Sequence, residues 1–300
     1  MKKARNLKFR NQSALGWLLL LPSFIILGIF VFYPMLKTFF LSTQLINLMG
    51  NPIKFIGFKN FSNLFTSDSF MTSFTITLIF VFFSTLLTLV LAYLMAMSAS
   101  QKIMGIAVFR TMFSSTMGVS VTVASILWLF MFNPQIGMFS KILTFLHLPQ
   151  INFLSDPTWS LVAIIGTTVW MNLGFAFLIL LGAIQAIPQD LYQVADLDGA
   201  SWLMRLRKIT IPATSPTIFF VTVVTLINAF QTFGQVDILT SGGPDYHTNL
   251  LVYAIYQDAF VNHSVGRASA QSVILTIIIM LFTMIQFYVK NRKGANYANE

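Results

Sequence analysis

The chain has 300 residues, 56% of them hydrophobic and only 9% charged, with a mean hydropathy of +0.76. A soluble domain carries about 25% charged residues to solvate its surface, so this composition excludes a water-facing surface and favours one solvated by lipid. The net charge is +9 and cysteine is absent; the cations flank apolar runs rather than forming one patch, which argues against a nucleic-acid partner, and disulfides, thiol catalysis and cysteine metal sites are ruled out.

In chain order, residues 1–13 form a basic segment carrying Lys2, Lys3, Arg5, Lys8 and Arg10. An apolar run over 14–36 follows. It is longer than the roughly 7–15 residues of a signal-peptide core, and Phe32-Tyr33-Pro34 is no small-residue cleavage site, so it is predicted to be an uncleaved first transmembrane helix. Residues 37–70 form an extracytoplasmic connection. Five more runs reach the ~20 residues needed to cross a hydrocarbon core: Phe74–Met97, Gly105–Phe132, Trp159–Ile187, Ser215–Val236 and Ala268–Val289. Turn formers such as Asn133-Pro134, Asp156-Pro157 and Gly242-Gly243-Pro244 separate them. These five helices occupy 71–289, and 290–300 is a tail. The expected fold is all-α and integral to the membrane, with six transmembrane helices. With the N-terminus inside, 13 Lys and Arg fall on inside segments and 5 on outside ones, so the positive-inside rule predicts both termini in the cytoplasm.

No Asp or Glu lies deep in any predicted span, which argues against proton coupling, since a titrating group would have to carry the charge. No Gly-Lys pair occurs, so the chain has no P-loop for ATP. His147, His247 and His263 are scattered through outside segments and form no metal site. No clustered reactive side chains suggest an enzyme. Two classes of transporter remain: a pore subunit driven by a partner, or a stand-alone secondary carrier or channel for a neutral solute.

The longest inside connection, 188–212, is the most informative. Pro188 suits the first turn of a helix and Asp190 lies near its positive end. Leu191, Val194, Ala195 and Asp198 fall on one stripe, and Gly199 offers a left-handed C-cap. A second helix with Arg205, Arg207 and Lys208 is expected to re-enter the membrane at Ile209–Pro212. Spacing alone fits either a helix anchored by headgroups or a docking helix for a cytoplasmic partner.

The segment Gln193-Val194-Ala195, Asp198-Gly199-Ala200 and Ile209-Thr210-Ile211-Pro212 resembles the EAA loop of permease subunits in binding-protein-dependent ABC importers. Phe55-Ile56-Gly57-Phe58-Lys59-Asn60-Phe61 resembles the Gly-x-x-Asn-Phe stretch of sugar permeases, and Leu239-Thr240-Ser241-Gly242-Gly243-Pro244 their Leu-Thr-x-Gly-Gly-Pro loop. The likeness runs from about Leu15 to Tyr288, closest to the first-type permease of maltose- and glycerol-phosphate-like systems. It implies a type I ABC importer permease fold and a carbohydrate as cargo, in the cell membrane of a prokaryote. The implied partners are a second permease subunit, two cytoplasmic ATPase subunits that bind ATP and Mg, and an extracytoplasmic sugar-binding protein; this chain itself carries no cofactor. The implied docking residues are Asp190, Leu191, Gln193, Val194, Ala195, Asp198, Gly199, Ala200 and Pro212. Gln193 stands where the pattern has Glu, so a charged contact is lost or becomes a neutral hydrogen bond. Val194 is a bulkier knob than the usual Ala, and Arg267 stands where an aromatic residue is common.

Sugars are held by amides, hydroxyls and aromatic faces near the bilayer midplane. Span four offers Thr168, Asn172 and Phe175, and span five Asn228, Gln231, Thr232 and Gln235. Asn228, Gln231 and Gln235 share a helical face at i, i+3, i+7, and amides facing lipid are costly, so this face is predicted to line the pathway. In span three, Ser114, Gly118 and Thr122 recur every four residues and are expected to pack against another helix.

Overall fold

A computed structural model describes residues 16–47, 49–101 and 103–297, with side chains described as far as residue 290. The basic segment 1–13, the start of the first span at Ala14 and Leu15, Lys102 and the end of the tail at 298–300 lie outside the described residues, as do the side chains of Arg292 and Lys293. The chain divides into two units, residues 1–64 with 258–274 and residues 65–257 with 275–300. Five described helices are long and apolar enough to cross a membrane, or six if one sharply bent pair counts as a single span.

The smaller unit begins with α1, Gly16–Ser42, six residues longer than the predicted span at its C-terminal end; none of its most apolar stretch is buried. Within it, Gly28–Phe32 widen to a π turn, closed by the Tyr33 N–H donating to the Gly28 carbonyl. The turn lies directly before Pro34, whose ring would collide with the carbonyl four residues back in a regular helix. An antiparallel hairpin then joins β1, Gln44–Ile46, to β2, Pro52–Phe55, with Gln44 opposite Phe55 and Leu45 opposite Lys54. This hairpin is the one departure from an all-α fold among the described residues. It is held by Asn60 at the start of α2, Lys59–Phe65, whose amide donates to the carbonyls of Ser42 at 2.8 Å and Gln44 at 3.0 Å. Gly57, at φ +59°, makes the turn that brings Asn60 there.

In the larger unit, three helices build the core: α3, Asp68–Ser100, α7, Pro157–Gln185, and α10, Ile211–Phe230. Ala92, Ala96 and Ala99 line one face of α3, and their small side chains admit Phe177, Leu180, Leu181 and Ile184 of α7 and Val221 of α10. Asp156 starts α7 by accepting hydrogen bonds from the N–H groups of Thr158 and Trp159, with Pro157 in the first turn.

Two predicted spans are interrupted. The run expected as one helix over 105–132 is α4, Ile106–Ser114, continued by a tight 3₁₀ turn to Gly118, then α5, Val121–Met131; the two halves are bent by 106°. Val119 and Ser120 are extended, and the Ser120 hydroxyl caps α5 by accepting from the Val123 N–H. Ser114, Gly118 and Thr122 therefore share no single helical stripe. The run expected over 215–236 ends at Phe230, and a separate short helix, α11, covers Gly234–Leu239. At its other end this span begins earlier than expected. Helix α9, Trp202–Arg205, a π turn over Leu206–Thr210 and α10 form one apolar helix from Trp202 to Phe230. The π turn again precedes a proline, Pro212, and the Ile211 N–H reaches back to Leu206. The remaining elements are α6, Met138–Phe145, α8, Gln189–Leu197, α12, Leu251–Tyr256, and α13, Val265–Tyr297.

Candidate functional site

Two features of the larger unit bear on function. The first is the connection 188–212. Helix α8 ends in a closed cap: the Gly199 N–H donates to Asp196 at 3.1 Å and the Ala200 N–H to Ala195 at 2.9 Å. Gly199 has φ +66°, the left-handed backbone this double reversal requires. Ala195 is buried, while Leu191, Val194 and Leu197 are exposed, Leu197 at 89%. The predicted stripe is thus split: Ala195 faces the protein together with Tyr192, and Leu191 and Val194 face out.

Side chains fix this helix to the span that follows. The Tyr192 hydroxyl meets the Thr210 hydroxyl at 2.9 Å, and Asp196 pairs with Arg205 of α9. One turn further along, Thr214 donates to the Thr210 carbonyl at 2.7 Å and meets the Tyr93 hydroxyl of α3 at 3.0 Å. Helix α8 is thereby joined to α10 and α3 by a run of polar contacts. Arg110 of α4 closes the C-terminal end of α3, donating through Nε and Nη2 to the Ala99 carbonyl at 3.0 and 2.7 Å. Gln193, Tyr192, Asp196, Arg205 and Arg110 border a shared cavity of about 690 Å³.

The second feature is a cavity of about 430 Å³ at the place where both interrupted spans break. Asn172 and Phe175 of α7 reach it, as do Asn228 at the end of α10, Gln231 and Thr232 in the break, and Gln235 of α11. Of the expected i, i+3, i+7 face, Asn228 and Gln231 keep the helical spacing, the Gln231 N–H still donating to the Ile227 carbonyl at 3.2 Å; Gln235 lies beyond the break on α11, and the turn brings it to the same cavity. Thr168 is not on the wall. It is 2% exposed, and its carbonyl accepts from Asn172 Nδ2 at 2.9 Å, which leaves Asn172 Oδ1 for the cavity.

Thr116, Met117 and Val121 from the broken third span complete the wall, with Phe233. Nothing in their residue types marks them; the signal that could have found them is Gly118-Val119-Ser120, where a capping serine follows a glycine inside an apolar run. Two glycines permit the crossing. A Cβ on Gly234 would lie 2.7 Å from Val121 Cγ1, and one on Gly174 would lie 2.5 Å from Thr116 Oγ1. Thr116 also accepts from the Gly174 N–H at 3.1 Å.

A membrane helix pair broken around an amide-lined cavity, beside a loop whose capped helix is tied into the same spans, is the arrangement of a transport subunit. Residues 88–293 match the family described as "Binding-protein-dependent transport system inner membrane component". The chain belongs to this family. It is 36% identical to the sn-glycerol-3-phosphate transport system permease protein UgpA of Agrobacterium fabrum, over 94% of this chain and 96% of that one. The corresponding protein of Rhizobium meliloti is 34% identical, with the same coverage. Among solved structures, it is similar to a bacterial ABC transporter involved in the import of the acidic polysaccharide alginate, with a TM-score of 0.83 at 23% identity, covering 96% of this chain and 99% of that one. A second structure, of a bacterial alginate transporter in complex with an alginate pentasaccharide-bound periplasmic protein, gives a TM-score of 0.81 at 22% identity, covering 95% and 96%. The chain is therefore a membrane permease of a binding-protein-dependent transport system, and the ABC permease fold extends over nearly its whole length.

Proposed function

We propose that this permease carries a carbohydrate across the cell membrane as one half of the pathway of an ATP-driven importer. The observation that supports this most is the cavity at the junction of the two broken spans. Discontinuous helices are a recurring way to expose polar backbone and amides at membrane depth, and Asn172, Asn228, Gln231, Thr232 and Gln235 with the face of Phe175 offer the hydrogen bonds and apolar surface a sugar uses. The named relatives handle sn-glycerol-3-phosphate and alginate, both oxygen-rich solutes.

Movement enters through α8. With both termini inside, 188–212 faces the cytoplasm, and the exposed Leu191, Val194 and Leu197 form the surface that an ATPase subunit would cover. Gln193 borders the adjoining cavity and offers a neutral hydrogen bond there. The Tyr192–Thr210 and Asp196–Arg205 links then carry the displacement to α10, which ends at the cavity. A second permease supplies the other half, two ATPase subunits bind ATP and Mg, and an external binding protein delivers the cargo. ATP binding selects the conformation in which the cavity opens outward.

The test is uptake by the assembled transporter carrying Asn172→Leu and Gln231→Leu. Loss of uptake with normal membrane insertion and ATPase association is expected. Unchanged uptake would remove this cavity from the path.

A further inference from the structure

We infer that the cavity selects an uncharged glycan or polyol and rejects anions, unlike the phosphorylated and acidic cargoes named for its relatives. The inference rests on the pathway reading above and concerns the charge of what passes. The walls come from the Ser115–Gly118 turn, α5, α7, α10 and α11. Across all of these segments the sequence has a single charged residue, and it is an acid: Asp237, exposed on α11. No cation lies on any of them. A phosphate or carboxylate leaving water for such a site loses several kcal/mol of solvation, and Arg or Lys normally repays that loss with charge-assisted hydrogen bonds.

The backbone does not supply the missing charge. Helix α10 has 20 residues and points its C-terminal, negative end at the cavity, with Asn228 in its last turn. Helices α5 and α11 start there with their positive ends, but they have 11 and 6 residues, and Ser120 already satisfies one of the free N–H groups of α5. These short ends face the negative end of the longer α10. The side chains suit neutral hydroxyls instead. Asn172 gives one Nδ2 hydrogen to the Thr168 carbonyl and keeps Oδ1 to accept an O–H. Asn228 and Gln231 are exposed to the cavity with both amide atoms available to donate or accept.

The chain has no cysteine, so Gln231→Cys places a single thiol in this subunit. The assembled transporter carrying it is labelled with a cationic and an anionic methanethiosulfonate reagent of similar size. Each rate, read on this chain by mass, is divided by the rate with a free small thiol. The cationic reagent is expected to react at least as fast as the anionic one. sn-Glycerol 3-phosphate and alginate oligosaccharide in excess should leave both rates unchanged. Adding Asn172→Lys calibrates the assay: one cation within the cavity should favour the anionic reagent by about tenfold or more at an effective dielectric constant of about 20. A tenfold anionic preference without that lysine, or slowing by either anionic solute, would overturn the inference. Failure of the pathway reading has a different signature: labelling that is identical in the nucleotide-free and ATP-trapped states, whatever the ratio of the two reagents.

Discussion

Arg267 has a partner of opposite charge in the smaller unit. Its Nε lies 2.9 Å from Asp258 Oδ2, and the Asp258 side chain is only 14% exposed. The N–H is poorly aligned for a hydrogen bond to that oxygen, so the contact acts through charge. Gln271 Nε2 donates to Oδ2 at 2.9 Å and Asn262 Nδ2 to Oδ1 at 3.0 Å. Replacing Arg267 by Met leaves Asp258 with two neutral donors and no counter-charge. Removing one member of a fully buried pair costs about 3–5 kcal/mol. Arg267 is 39% exposed, and water screens part of the attraction, so about 2–3 kcal/mol is expected here. Asp258→Asn removes the charge attraction for Arg267 and keeps only one oxygen to accept from Gln271 or Asn262, at a cost of about 1–2 kcal/mol. The double variant should recover about 1–2 kcal/mol relative to the summed single losses. The assay is a double-mutant cycle on the purified transporter, with apparent unfolding free energies from detergent titration. A coupling under about 0.3 kcal/mol would refute the pairing of Arg267 with Asp258 as a stabilising contact.

Two other substitutions test the geometry of the larger unit. Gly234→Val forces side-chain atoms into Val121, which a Cβ alone would approach to 2.7 Å; overpacking of this kind costs about 1–3 kcal/mol, so a lower melting temperature and slower uptake with unchanged ATPase binding are expected. Gly199→Ala places a Cβ at φ +66° and should destabilise the end of α8 by about 1–2 kcal/mol, whereas Gly199→Asn should cost less because Asn tolerates this backbone. Proteolysis rates at 198–202 in the purified transporter report both, and equal rates for the Ala and Asn variants would contradict the cap.

The fold was legible wherever composition decided it. Long apolar runs without charge have one solvent available, and α3, α7 and α13 lie where their hydropathy puts them. The bounds of α8 were equally readable, because Pro188, Asp190 and Gly199 each act locally on the backbone. The cavity was only half readable. Its amides stood out because an amide in a span needs a partner, but the regular period that seemed to join Asn228 to Gln235 is broken at Gln231. That break and the one after Gly118 pack together, α11 lying against α5 with Gly234 against Val121, and only the second carries a local signal, the capping Ser120 after Gly118. Thr168 looked like a wall residue on the same logic, yet its place is behind Asn172. The small-residue stripe of the third span failed for the same cause, since a bend of 106° separates Ser114 from Thr122.

The central claim is that transport by this permease is powered by ATP through α8. The most direct measurement is uptake of the cargo delivered by the binding protein, in proteoliposomes holding this chain, its second permease and the ATPase pair, with the parent chain and with residues 190–201 deleted. The account predicts ATP-dependent uptake by the parent, and loss of both uptake and ATPase association on deletion. Uptake that survives ATP depletion and follows an ion gradient, or an ATPase retained after the deletion, would contradict it.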